Sequence, residues 1–473
     1  MKKIILLILF VLFISINFIS SQSCLPSGIV FQTQNEIDNF QTDYPGCSEI
    51  EGYVRVEGQD ITNLDGLSVI TSIGGDYLDI ANNPVLTDLN GLANLIAVSG
   101  TIMLVDNPSL TSLSGLANLS SAGDIEIRNN PVLSSFYGLE GITTIEGFIR
   151  LEYNPLPTNL NGFNGLITVG EHLEIVENAN LINLIGLEEL VTVNGELIVA
   201  QNDALISLEG LNSLSSVGSG LIFSGNISLN NCESLNQLST VGGVLQFNKN
   251  YSITSLSGLE LLTTIGSYLL INENIELINL NGLNNLTTIG GKLHIRKNYK
   301  LENISVLTSI NTIDGLLLID DNSELTSLIG IENINPNTID SISIINNLVL
   351  STCEVQSVCD FLSSSITSVN IHDNALGCNS KNEVELACLA GIVNNASEFK
   401  IVIHPNPALD NIHIINEKGI KLDEISIYNT FGQRALNVTE VIDIIDVSNL
   451  EAGFYIIEIV ADKRKLNKKL IIQ

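Results

Sequence analysis

Two pairs of acidic residues, Asp320 with Asp321 and Glu174 with Glu177, are the side chains whose type and spacing could do hydrolytic chemistry. Cleavage of a glycosidic bond needs two carboxylates flanking the scissile oxygen, one as acid and one as base or nucleophile. Solvated turn charges account for these pairs better, because nothing around them in sequence builds a site. The five histidines, His172, His294, His372, His404 and His413, are scattered along the chain and do not converge by spacing. No GxSxG, HExxH, GxGxxG or P-loop segment is present, so the compact signatures of acyl transfer, zinc hydrolysis and nucleotide binding are missing. Cys353, Cys359, Cys378 and Cys388 cluster, but without a CxxC spacing and with only His372 nearby, so zinc is not expected. No catalytic residue, metal ligand or cofactor is assigned.

The elements that would position any site are repeats. Leu86-Thr-Asp-Leu89-Asn-Gly-Leu92 and Leu277-Ile-Asn-Leu280-Asn-Gly-Leu283 share one template, LxxLxGLxxLxxIxGxLxIxxN, of about 24 residues. Twelve copies fit, from Leu64 to Leu328 in the second apolar column, with Cys232 as a thiol in an otherwise mostly leucine column. Apolar residues recur every three positions and then alternate in the LxI segment, which predicts one definite strand per copy and no long helix. Stacking pairs each LxI strand with the next in a parallel sheet, and twelve turns at about 4.8 Å span roughly 55–60 Å. A single copy cannot bury its apolar side; the array can. Two polar columns belong to the same geometry. Asn83, Asn107, Asn130, Asn154 and their successors to Asn347 close each turn, where asparagine tolerates a left-handed backbone and bonds to the adjacent turn. The LxGL glycine, replaced by Ser234 and Val306 in two copies, suits a tight bend.

One residue of each LxI faces away from the core, and that column is where binding is expected. It reads Asp79, Met103, Glu126, Arg150, Glu174, Ile198, Ile222, Gln246, Leu270, His294, Leu318, Ser343. With Val176 and Ala200 after their strands, Ile198 and Ile222 form a candidate apolar patch for a partner. A second candidate is a basic spot on an acidic rod, formed by Lys249, Lys292, Arg296, Lys297 and Lys300. It would suit an anionic glycan, or pair locally with its acidic neighbours.

Charge and export signals bound the setting. The net charge is −32, and residues 24–399 hold nine basic against 42 acidic side chains, so phosphate backbones are repelled and nucleic acid is excluded as a partner. Lys2 and Lys3, an apolar run from Ile4 to Phe13 and a small polar stretch to Ser23 read as a signal peptide over 1–23. Cys24 directly after it raises a lipoprotein alternative, for which Ser21-Gln22-Ser23 is a poor processing box. No later run reaches the ~18 apolar residues of a membrane span. Oxidising export conditions favour disulfides among Cys24, Cys47, Cys353, Cys359, Cys378 and Cys388. Cys24 with Cys47 is the natural first pair, and the other four leave three connectivities open. The expected boundaries are an N-terminal cap at 24–60, the solenoid at 61–350, a cysteine-containing cap with two short helices at 351–395, and a β-rich module at 400–473 with seven strand-prone segments, a small antiparallel sandwich.

The repeat pattern resembles the receptor L-domain-like leucine-rich solenoids of exported proteins, over about residues 24–390. That resemblance implies a right-handed coil and a recognition or adhesion role for a protein or glycan ligand. The last segment carries Pro405-Asn406-Pro407, then Ile425-Ser-Ile-Tyr-Asn-Thr-Phe-Gly432-Gln, Leu450-Glu-Ala-Gly453-Phe-Tyr455, and Lys468-Lys469-Leu-Ile-Ile. These motifs resemble the type A sorting domain of the type IX secretion system of Bacteroidetes-like bacteria. The resemblance implies passage through that machinery, removal of the module, and release or attachment at the outer surface. It places Pro405, Asn406, Pro407, Gly432, Gly453, Lys468 and Lys469 in the sorting motif. The expectation is thus a mainly β, non-enzymatic, secreted or surface protein: a right-handed parallel solenoid followed by a sorting sandwich. The rivals are a secreted β-helix enzyme acting on carbohydrate and a structural surface-layer component.

Overall fold

The computed structural model describes residues 22–364, 368–389, 401–416, 422–438, 444–461 and 464–473; all but the last two residues of the expected signal peptide lie outside this set. Alternation in the LxI segments produces one long sheet. Fifteen parallel strands follow chain order in it, from Ile29–Phe31 to Val369–His372. The register is one repeat per step, with Leu197 opposite Leu221 and Ile198 opposite Ile222, so like stacks on like. The inward residues of every turn are buried and form one continuous core, with aromatic substitutions matched between neighbours: Phe223 stacks on Phe247 at 5.3 Å.

The structure adds a second strand to most turns, where the sequence suggested one strand per turn. Thr-Ile and Thr-Val pairs, with Ser216–Val217 in one turn, form an eight-stranded parallel sheet from Thr144–Ile145 to Thr312–Ile313. Their β-branched side chains favour extended backbone, and pairing satisfies peptide groups that the core would otherwise strand. The every-third apolar spacing also has a local cause. Several LxGL segments, such as Asn90–Leu92 and Ser114–Leu116, are single 3-10 turns, whose period is three residues. Elsewhere the glycine adopts positive φ, +114° at Gly186 and +116° at Gly210. The two copies without glycine are explained by this alternative: Ser234 lies in the 3-10 turn Glu233–Leu235 and Val306 in Ser305–Ser309, so neither needs the left-handed region.

The asparagine ladder is present, with one correction. The left-handed residue is not the asparagine but its predecessor, as at Glu177, Gln201, Lys249 and Lys297 (φ 54–56°). The asparagine side chain then turns inward. Asn202 Nδ2 donates to the carbonyls of Ile175 (2.9 Å) and Ala200 (3.0 Å), while its Oδ1 accepts the N–H of Asn178 at 3.0 Å. Repetition from turn to turn satisfies the buried corner, and Asn374 extends the ladder into the C-terminal cap.

Both ends are closed by helix and disulfide. Helix Gln34–Asp43, opened by a Thr33/Glu36 capping box, covers the first turn with Ile37 and Phe40. At the other end helices Gln356–Ser363 and Lys381–Leu389 are tied by Cys353–Cys378 and Cys359–Cys388, which resolves the open connectivity. Cys24–Cys47 bonds as expected. Beyond the cap, seven described strands form antiparallel sheets of three and four, closing on their own core of Ile, Val and Leu.

Candidate recognition face

The long sheet presents two outward columns in most of its strands, and their chemistry changes along the rod. The early turns carry charges that neutralise one another: Arg55 meets Asp79 at 2.8 Å and Arg150 meets Glu174 at 2.7 Å. Burial nevertheless holds the Asp79 carboxyl above the usual carboxylate range, with Arg55 opposing that effect. From the sixth template copy the face turns apolar and amide-rich. Ile198 and Ile222 are direct neighbours, as are Val176 and Ala200, so the four apolar candidates come together on adjacent columns. All four are half-buried rather than fully exposed, because strands one sheet spacing apart shade each other's side chains.

The basic spot becomes a charge zipper. Glu273 lies between Lys249 (3.9 Å) and Lys297 (3.6 Å), Lys300 meets Glu276 at 2.5 Å, and Arg296 meets Asp320 at 3.6 Å. Lys292 and Arg296 flank His294, whose imidazole is pushed below its ordinary pKa first by burial and then by these two cations. The five cations are therefore distributed over the sheet face and its corner, four of them with carboxylate partners. Both acidic pairs include a carboxylate that is paired with an arginine. Glu174 is engaged by Arg150 and Asp320 by Arg296, and the Asp321 carboxyl is raised by burial and by Asp320. Among the described residues no group of three or more potential metal ligands gathers.

Spacing did not reveal the groove beside the apolar columns. At the corner that follows the strands, four turns leave an open notch of about 470 Å³, lined by Glu177, Ala179, Gln201, Asp203, Ser224, Gly225, Ile227, Asn248, Lys249 and Tyr251. Small residues help to open it: Ala179 and Gly225 stand where neighbouring turns carry larger side chains, and Ser224 stands where the next turn has Asn248. Gly225 (φ 70°) takes the left-handed corner that Gln201 and Lys249 take in adjacent turns. One wall is a hydrogen-bonded polar ladder, with Asn272 Nδ2 donating to Asn248 Oδ1 at 2.6 Å and Asn248 Nδ2 to Ser224 Oγ at 3.0 Å. The other side offers the exposed ring of Tyr251. Gly225, Ser224 and Ala179 occupy three different columns of the repeat, so no single column of the sequence marks the notch.

In the C-terminal module the motif residues serve the last strand. Asn406 Nδ2 donates to the carbonyl of Lys469 (2.9 Å) and its Oδ1 accepts from the Ile471 N–H (2.8 Å). Pro405 and Pro407 flank this clamp through cis peptide bonds. Gly432, at φ 73°, closes the turn in which its N–H donates to the Asn429 carbonyl, and Gly453 opens strand Gly453–Ala461. Lys468 is partly buried and Lys469 is buried.

Residues 402–473 match the family model of the secretion system C-terminal sorting domain. No curated protein matches the chain.

Proposed function

We propose that this is an exported, non-enzymatic recognition protein whose receptor L-domain-like solenoid presents the notch between Glu177 and Tyr251 to a glycan. The C-terminal type IX sorting domain directs the chain to that secretion machinery, and thus to the outer surface or medium. A signal peptide at 1–23 would supply the first crossing. The observation that carries the ligand reading is the lining of the notch. Amides of Gln201 and Asn248, the Ser224 hydroxyl and the carboxylates of Glu177 and Asp203 supply fixed donors and acceptors, and Tyr251 supplies an aromatic face. Sugars present the matching chemistry, hydroxyls around the ring edge and C–H groups on its faces. The volume lies within the range of ~300–1,000 Å³ usual for ligand sites. The negative lining disfavours sulfated or uronate-rich chains, so neutral or amino sugars are the fitting class.

A second reading, a protein ligand on the strand face, is favoured by the adjacency of Ile198 and Ile222. Paired variants of the full chain separate the two. Gln201→Ala with Tyr251→Ala should abolish binding to immobilised glycans, while Ile198→Asp with Ile222→Asp leaves it. Loss in the second pair alone would move the site to the apolar columns, and cleavage of a bound sugar would favour the enzyme.

A further inference from the structure

We propose that the C-terminal cap contains an ammonium socket that docks the sorting module onto the solenoid through Lys469, and that the module is presented for export only when this lysine leaves. Docking stands on the geometry alone; its consequence for export rests on the sorting assignment of residues 402–473.

Lys469 is 6% exposed and Glu354 is 5% exposed, and the ammonium and carboxylate meet at 3.3 Å across 115 residues of chain. The ammonium also donates to the carbonyl of Ser351. A third side of the socket is Gly377, at φ +99°, where any side chain would run into the lysine head. The socket is held in shape independently of its occupant. Cys353–Cys378 ties the Ser351–Glu354 segment to the Gly377 loop, the Cys353 N–H donates to the Glu354 carboxylate at 3.0 Å, and Glu383 accepts from the N–H groups of Gly377 (2.6 Å) and Asn379 (3.2 Å). On the module side, Asn406 clamps the backbone at the Lys469 carbonyl and the Ile471 N–H. Beside the ion pair, a cleft of about 280 Å³ lies between Leu386 and Leu389 of the cap and Phe454 and Ile456 of the module.

A buried ammonium is tolerated only when paired, and removing either partner strands the other. Burial pushes the Lys469 ammonium below its ordinary pKa while Glu354 opposes that effect. A surface lysine that merely happened to lie nearby would keep its head in water. Docking therefore uses the directional contacts of one ammonium, to Glu354 and to the Ser351 carbonyl, and while they hold, a lysine of the sorting motif is withdrawn from any receptor.

The test uses the full chain and an amine-reactive reagent, with modification followed residue by residue in the mass spectrometer. Lys469 is expected to react at least tenfold more slowly than the exposed Lys300, and to gain at least tenfold in Glu354→Gln, which leaves the module's own sequence intact. Gly377→Leu, which fills the socket, should give the same gain. Lys469 reacting as fast as Lys300 in the unaltered chain, or no gain in either variant, would overturn docking. In a host with the type IX machinery, Glu354→Gln should leave the cell at least twofold faster. Unchanged or slower export, with the labelling result upheld, would overturn the gate while leaving the docking in place.

Discussion

Asn202 shows what one side chain does in this fold. It satisfies two carbonyls and one N–H that have no water within reach, and an orphaned buried group costs about 1–3 kcal/mol. Asn202→Ala should therefore destabilise its neighbourhood by about 3 kcal/mol, read as faster native-state hydrogen exchange in residues 173–226 with distant turns unaffected. Cys232 is the opposite case, a thiol standing in for an aliphatic side chain. It is fully buried, its Sγ bonds to the Ser257 carbonyl at 3.3 Å, and burial pushes its pKa far up. A thiol reagent should find no reactive group in the native chain and one after unfolding. Because the folded state holds the proton more tightly, Cys232 contributes stability that is complete below about pH 8.5 and declines as pH rises above it. His294 has the reverse sign. Its folded pKa is depressed, so the unfolded chain binds the proton first, and stability is lost as pH falls through about 6.5 toward the folded value. Thermal melts at pH 7.5 and 5 should show a smaller loss in His294→Gln than in the unaltered chain.

At the scale of the element, strand and corner were legible because each depends on residue type alone. Alternation set the long sheet, the asparagine column set the corner, and steps of about 24 residues set the number of turns. The second sheet was less visible because two-residue strands such as Thr192–Val193 have no alternation to read, only β-branching. The displacement of the left-handed site to Gln201 and its equivalents has no clear sequence signal, because those positions hold Asn only at 82, 129 and 346 and otherwise Asp, Tyr, Glu, Gln, Gly or Lys. There the ladder overrides the intrinsic preference of the residue. The caps follow from the cysteines, but their pairing needed the third dimension. Opening Cys353–Cys378 by replacing both residues with serine removes a cross-link spanning 25 residues, worth about 3 kcal/mol. The expected result is early melting of helices Gln356–Ser363 and Lys381–Leu389, seen by hydrogen exchange, with the central turns retained.

For the whole molecule, the arrangement is an acidic rod with one modified corner and a secretion module at its end. The sheet repeats the same backbone many times, so any function must come from where side chains break the repeat. Ala179, Ser224 and Gly225, which line the same notch as Tyr251, are such a break, and the proposed binding surface rests on it. Sequence spacing located the apolar columns and the cation zipper but not the notch, because a groove arises from missing volume in adjacent turns rather than from a motif. The most direct measurement is equilibrium binding of the purified full chain to an array of neutral and amino-sugar oligosaccharides, repeated with Tyr251→Ala. Binding to a restricted set, weakened about tenfold, or ~1.4 kcal/mol, in a variant that melts like the unaltered chain, is the expected result. No bound oligosaccharide, equal binding by Tyr251→Ala, or turnover of the sugar would contradict the account.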